Sequence, residues 1–158
     1  MKILFLHGWH SRPGGVKPSF LQAQRYEVIN PALDDDDFQA AVVVAQAAYD
    51  QHAPDIIVGS SRGGAVAMHL HSQDTPLVLL CPAWRDHGWV DCVKPSTWIL
   101  HARQDEVVPY ADSEILLTHS GLPLSRLITT GSDHRLIDPD SLEALRSICE
   151  QSYFEQCQ

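Results

Sequence analysis

Apolar and polar positions along this chain alternate between two kinds of segment. Short, nearly continuous apolar runs closed by glycine, proline or asparagine are separated by longer stretches with helical spacing. Ile3 to His7 is the first run, and Gly8 ends it, as expected of a strand buried on both faces. Tyr26 to Ile29 is the second, closed by Asn30-Pro31, and Asp55 to Gly59 is the third. Leu77 to Cys81, Thr97 to His101 and Arg126 to Thr130 supply three more. Between them, Phe38 to Tyr49 predicts a buried helix by its length, although its valines favour a strand. Gly64 to Leu70 with its flanks and Tyr110 to His119, closed by Gly121, predict two further helices. Ser141 to Phe154 carries Leu142, Leu145, Ile148 and Cys149 at the spacing of an amphipathic helix.

Strands alternating with helices across short connections predict an α/β fold. The expected architecture is a doubly wound, mostly parallel sheet of about six strands with helices on both faces. A chain of 158 residues is long enough for one domain with a substantial core, so residues 1–158 are taken as a single domain. In such sheets ligands bind beyond the carboxyl ends of the strands, which directs attention to the residues following each run.

After the third run comes "GSSRGG". Ser61 has Gly59 two before it and Gly63 two after, the G-x-S-x-G pattern of a nucleophile on a tight strand-to-helix turn. Ser60 does not fit, because its flanks would be Val58 and Arg62. An activated serine needs a base, and the base needs an orienting carboxylate. "HARQDEVVP" after the fifth run offers Asp105, with Glu106, Asp112 and Asp133 as neighbouring carboxylates. "GSDHRL" after the sixth offers His134. The chain order serine, acid, histidine is the one used by elbow enzymes. An oxyanion hole needs two N–H groups, for which Arg62 and Trp9 are the candidates.

The segments "LFLHGW", "GSSRGG", "HARQDEVVP" and "GSDHRL" together resemble the landmarks of the α/β-hydrolase superfamily, and the resemblance spans most of the chain. "LHGWHSRPGGVKPSF" and the small size are similar to the compact YqiA-type esterase group. The resemblance implies Ser61 as nucleophile, His134 as general base and acid, and Asp105 as its partner. Two departures follow: the hairpin that family members carry before the "HG" strand is missing, and residues 82 to 95 leave no room for a helical cap. A lidless hydrolase acting on an open-site ester or thioester is therefore expected, with no cofactor. The competing readings are a serine peptidase and a non-catalytic module binding a small ligand or a partner on the same fold.

Trp9, Trp84 and Trp89 follow strand ends and are candidates to line the substrate pocket, against the alternative of core packing. The Arg62 side chain is expected to pair with a carboxylate of the protein rather than with an anionic substrate, and His7 to brace its loop. Lys17 in "RPGGVKP" lacks the spacing of a phosphate loop. The remaining histidines lack a metal-ligand spacing, so no metal site is expected.

Composition narrows the partners. A net charge of −9 without a basic run disfavours nucleic acid and anionic membranes. The run Asp34-Asp35-Asp36-Asp37 is expected to be a solvated turn leading into a helix N-terminus. Cys81, Cys92, Cys149 and Cys157 form no C-x-x-C pair, and no secretory signal or membrane-length segment is read. Free thiols and a cytoplasmic protein are expected, acting on a small molecule, with a homo-oligomer as one way to shelter an uncapped site.

Overall fold

The computed structural model describes residues 1–158. Six strands form one sheet: β1 (Lys2–Leu6), β2 (Glu27–Ile29), β3 (Ile56–Ser60), β4 (Leu77–Leu80), β5 (Thr97–His101) and β6 (Leu127–Thr129). Their order is β2-β1-β3-β4-β5-β6, and every neighbouring pair is parallel. All carboxyl ends therefore share one edge.

Five helices cover the two faces: α1 (Val16–Ala23), α2 (Phe38–His52), α3 (Arg62–Met68), α4 (Tyr110–His119) and α5 (Pro139–Gln156). Side chains alternate across a strand, so each strand serves two cores. Leu4, Leu6, Ile57, Leu79 and Ile99 pack with Ala41 and Ala45 of α2, Val66 of α3 and Leu116 of α4. Ile3, Phe5, Val58, Val78 and Leu100 pack with Leu21 of α1 and Leu145, Ile148 and Cys149 of α5. This division explains the continuous apolar runs, because neither face of a central strand meets water.

Helix starts follow local chemistry. Asp37 caps α2 by accepting the Ala40 N–H at 2.9 Å, so the last member of the aspartate run does lead into a helix N-terminus. Asp138 caps α5 by accepting the Ser141 N–H, with Pro139 at the first helical position, where its missing donor costs nothing. Tyr26 hydrogen-bonds Glu150, tying α5 back to the start of β2.

Helix α1 lies in a stretch for which the sequence pattern predicts no helix. Pro18 falls in the first helical turn, where no intrahelical donor is required, and Leu21 fixes the helix to the sheet. Helix α3 starts at Arg62, in the flank allowed for it, and its Gly63 and Gly64 are packing glycines. Residues 81–96 contain no helix or strand, and no helix is long and apolar enough to cross a membrane. All four cysteines are free thiols.

Candidate active site

Ser61 sits between β3 and α3 with φ 55° and ψ −117°, a conformation that an L-residue adopts only under constraint. The flanking glycines supply the room. A Cβ on Gly59 would lie 2.6 Å from the Gly63 carbonyl oxygen, and one on Gly63 would lie 2.1 Å from the Leu6 carbonyl oxygen. The G-x-S-x-G pattern is thus a statement about backbone contacts: strand β1, strand β3 and helix α3 close on one another only without those side chains.

The structure brings Ser61, His134 and Asp105 together from three strand ends. His134 Nδ1 lies 2.7 Å from Asp105 Oδ2, and Nε2 lies 2.9 Å from Ser61 Oγ. A carboxylate can only accept, so Nδ1 carries the proton and Nε2 is the acceptor for the serine hydroxyl. Burial opposes the charge on the fully enclosed Asp105 side chain. Hydrogen bonds from His134 and from the N–H groups of Val108 and Val107 outweigh it, and they hold its pKa below the ordinary carboxylate range.

His101 completes this arm and was not anticipated from the sequence. Its ring is fully buried, with Nε2 3.1 Å from Asp105 Oδ2 and 3.0 Å from the Val108 carbonyl. Two acceptors at Nε2 place its proton there, so Nδ1 accepts from Ser113 Oγ at 2.7 Å. Burial lowers the His101 pKa against the raising influence of the Val108 carbonyl and Asp105, which keeps the ring neutral. His101 therefore positions Asp105. The signal available in the sequence was its place four residues before Asp105 at the end of a buried strand.

None of Glu106, Asp112 and Asp133 hydrogen-bonds His134, and two of them are engaged elsewhere. Asp133 accepts the Arg135 N–H, and Asp112 pairs with Arg85 at 3.2 Å.

Around the serine, the Trp9 N–H makes no hydrogen bond within the protein. Arg62 is the first residue of α3, so its N–H is one that a helix leaves unsatisfied. The loop carrying Trp9 is fastened from two directions. Trp9 Nε1 donates to the Asp35 carbonyl at 3.1 Å, and the His10 N–H donates to the Asp35 carboxylate at 3.0 Å. His7, 4% exposed, bridges the Gly8 carbonyl and the Leu33 N–H, the bracing role expected of it.

Ser61 and His134 open onto a cavity of about 660 Å³, lined among others by Trp9, Lys17, His87 and Val108. Of the three tryptophans proposed for the pocket, only Trp9 lines it. Trp84 is a core residue, 7% exposed, with Nε1 donating to the Asp112 carbonyl. Trp89 is 73% exposed and turns away to meet the His69 ring edge-on. Both follow strand β4 on an irregular segment whose course the sequence did not reveal.

The Arg62 side chain also departs from expectation. It is 2% exposed, yet no carboxylate lies within 4.0 Å of it, and its Nη1 has no hydrogen-bond partner. Its guanidinium instead lies 5.6 Å from the centre of the Phe38 ring.

One cluster has the composition of a metal site: Cys81 Sγ, an Asp105 oxygen and a His134 nitrogen lie within 4.8 Å of one another. Its atoms are already committed. Asp105 Oδ1 accepts two backbone N–H groups, and Oδ2 faces two imidazoles. Burial, followed by the charge of Asp105, pushes the Cys81 thiol pKa up.

No family model matches the chain, and no curated protein does either. Solved structures do. Mouse alpha/beta hydrolase domain-containing protein 10 superimposes with a TM-score of 0.72 at 15% identity, covering 99% of this chain and 90% of that one. Est1E from Butyrivibrio proteoclasticus, in its structure with ferulic acid bound, gives 0.72 at 15% identity and the same coverage. The ydeN gene product of B. subtilis gives 0.65 at 12% identity over 98% of both chains. The protein has the α/β-hydrolase fold, in a minimal form with a six-stranded parallel sheet.

Proposed function

We propose that the protein is a serine hydrolase that cleaves a carboxylic ester or thioester through an acyl-enzyme. The observation that carries this reading is the continuous chain of hydrogen bonds from Asp105 through His134 to Ser61 at the edge of a cavity. Ser61 Oγ attacks the substrate carbonyl while His134 Nε2 takes its proton. Negative charge develops on the carbonyl oxygen, and the N–H groups of Trp9 and Arg62 receive it. The protonated imidazole, stabilised by Asp105, then delivers its proton to the leaving alcohol or thiol. Water activated by the same nitrogen attacks the acyl-enzyme and releases the acid. Every group this chemistry requires is a side chain or backbone N–H of the chain itself.

An ester or thioester fits better than a peptide, because the cavity is bounded by strand ends, loops and the first turn of α1, and residues 81–96 contribute no helix to cap it and screen access. The test is labelling with a fluorophosphonate probe, comparing wild type with Ser61→Ala and Ser60→Ala, followed by assays on short acyl esters and a peptide panel. Labelling lost only in Ser61→Ala, together with ester hydrolysis, is the expected result. Absence of both labelling and turnover in the wild type would overturn the reading in favour of a binding module.

A further inference from the structure

The cavity beside Ser61 has a charge opposite in sign to that of the molecule around it. The chain carries 20 acidic residues against 11 lysines and arginines. The cavity wall reverses that balance, with Arg12, Lys17 and Arg135 opposed by Asp86 alone. None of the three cations lies within 4.0 Å of a carboxylate. Elsewhere Lys2, Arg85, Arg126 and Arg146 each pair with an acid, while Arg25, Lys94 and Arg103 lie apart from one another and from the cavity lining. Arg62 adds a fourth unpaired cation next to the nucleophile, almost wholly buried and with an unpartnered Nη1. Its influence reaches the cavity, since burial and the Arg62 charge together lower the pKa of the lining residue His87.

Positive charge gathered along one wall of a site attracts an anion. From this we infer that the substrate carries an anionic group, a carboxylate or a phosphate, on its alcohol or thiol part, held by Lys17 and Arg135 with Arg12 nearby. The placement follows from the proposed chemistry, on which this inference rests. His134 must reach the leaving oxygen or sulfur, so the departing group occupies the side of the cavity next to the imidazole. Arg135 directly follows His134, and Lys17 Nζ donates to the Arg135 carbonyl at 2.6 Å. That bond uses one of the three ammonium protons and leaves two for a ligand. Burial depresses the Lys17 pKa, with Arg135 pushing the same way and Cys81 and Asp133 opposing; the charge of an arriving anion favours the ammonium form. The uncapped first turn of α1, which carries Lys17, faces the same wall.

The experiment compares acetyl esters that share one acyl-enzyme and differ only in the leaving group: those of 4-hydroxybenzoate, of 4-hydroxyphenyl phosphate and of the neutral methyl 4-hydroxybenzoate. Because deacylation is common to all three, kcat/KM reports recognition of the leaving group. Wild type is expected to prefer at least one anionic ester over the neutral one by tenfold or more, with the ratio falling as salt rises. In Lys17→Met, and in the double variant Arg12→Gln/Arg135→Gln, the ratio should fall towards one. The ratio is the readout because Lys17 also braces the His134 loop, and loss of that brace slows all esters alike. A ratio near one in the wild type, or a ratio unmoved in both variants, overturns the inference. A parallel titration of Ser61→Ala with the benzoate ester and its methyl counterpart separates the two levels. Tighter binding of the anion by tenfold in a protein whose wild type turns nothing over would sink the hydrolase reading and retain the anion site. Equal binding in a protein whose wild type hydrolyses both would do the reverse.

Discussion

The two arms of the site are fixed by different forces. The elbow that presents Ser61 is held by steric closure: backbone of β1, β3 and α3 meets at distances that leave no space for a Cβ at Gly59 or Gly63. The arm that presents His134 is held by polar contacts, a relay running from Ser113 through His101 and Asp105 to the imidazole. Packing against backbone tolerates no added volume, whereas a buried polar network tolerates no missing partner. The same chemistry is thus guarded at one end by shape and at the other by satisfied hydrogen bonds.

Substitutions can separate these two forms of control. The largest expected effect is on the polar arm. Asp105→Asn preserves volume while removing the carboxylate that fixes the His134 tautomer, and should lower kcat by about 10⁴-fold. Its thermal transition at neutral pH should move far less than its rate. Stability against acid offers a second check, with a definite sign. Because folding lowers the Asp105 pKa from 3.8, the unfolded chain binds more protons across that interval. The stabilisation is therefore complete above the ordinary carboxylate value and is lost as pH falls through the folded one. The acid limb of the wild-type stability curve should be steeper than that of the variant.

Next in size is Gly63→Ala on the steric arm. A methyl 2.1 Å from the Leu6 carbonyl forces β1 and α3 apart, with an expected loss of about 3 kcal/mol or more in chemical denaturation and of probe labelling together. A variant that kept full stability would show that the elbow is not closed by shape. His101→Leu should be milder, about tenfold to a hundredfold in kcat with little change in KM, because the residue touches Asp105 and not the cavity. His101→Gln, which can still donate to Asp105, should recover part of the loss. The two tryptophans that do not line the cavity differ from each other, and the smallest effect of all belongs to the exposed Trp89. Trp84→Ala should cost about 3–5 kcal/mol in stability as a core truncation, and Trp89→Ala within roughly 0.5 kcal/mol.

The steric arm was the easier to read in advance. Glycines at fixed offsets from Ser61 report backbone crowding directly, and parallel buried strands leave apolar runs that need no periodicity to notice. That Asp105 and His134 meet at Ser61 could be foreseen because they follow strands in the chain order that elbow enzymes use. His101 left only its place four residues before Asp105 as a signal, and its role exists only through the turn that folds Asp105 back on it. Helix α1 escaped because its anchoring rests on Leu21 while glycine and proline dominate its start. Trp84 and Trp89 failed for a related reason. In a segment without helix or strand, the direction of a side chain is set by tertiary contacts, and sequence position carries no information about it.

The short edge strand β6 has a further consequence. It pairs with β5 along one side only, over the three residues Leu127–Thr129, and its outer side has no strand. His134 is delivered five residues beyond Thr129, at the margin of the sheet where opening is cheapest, while Ser61 follows an interior strand. Fraying of that margin withdraws the His134 imidazole and leaves Ser61 in place. On warming, the protein should fall silent while most of its amides are still protected from exchange, and regain its competence on cooling without having unfolded.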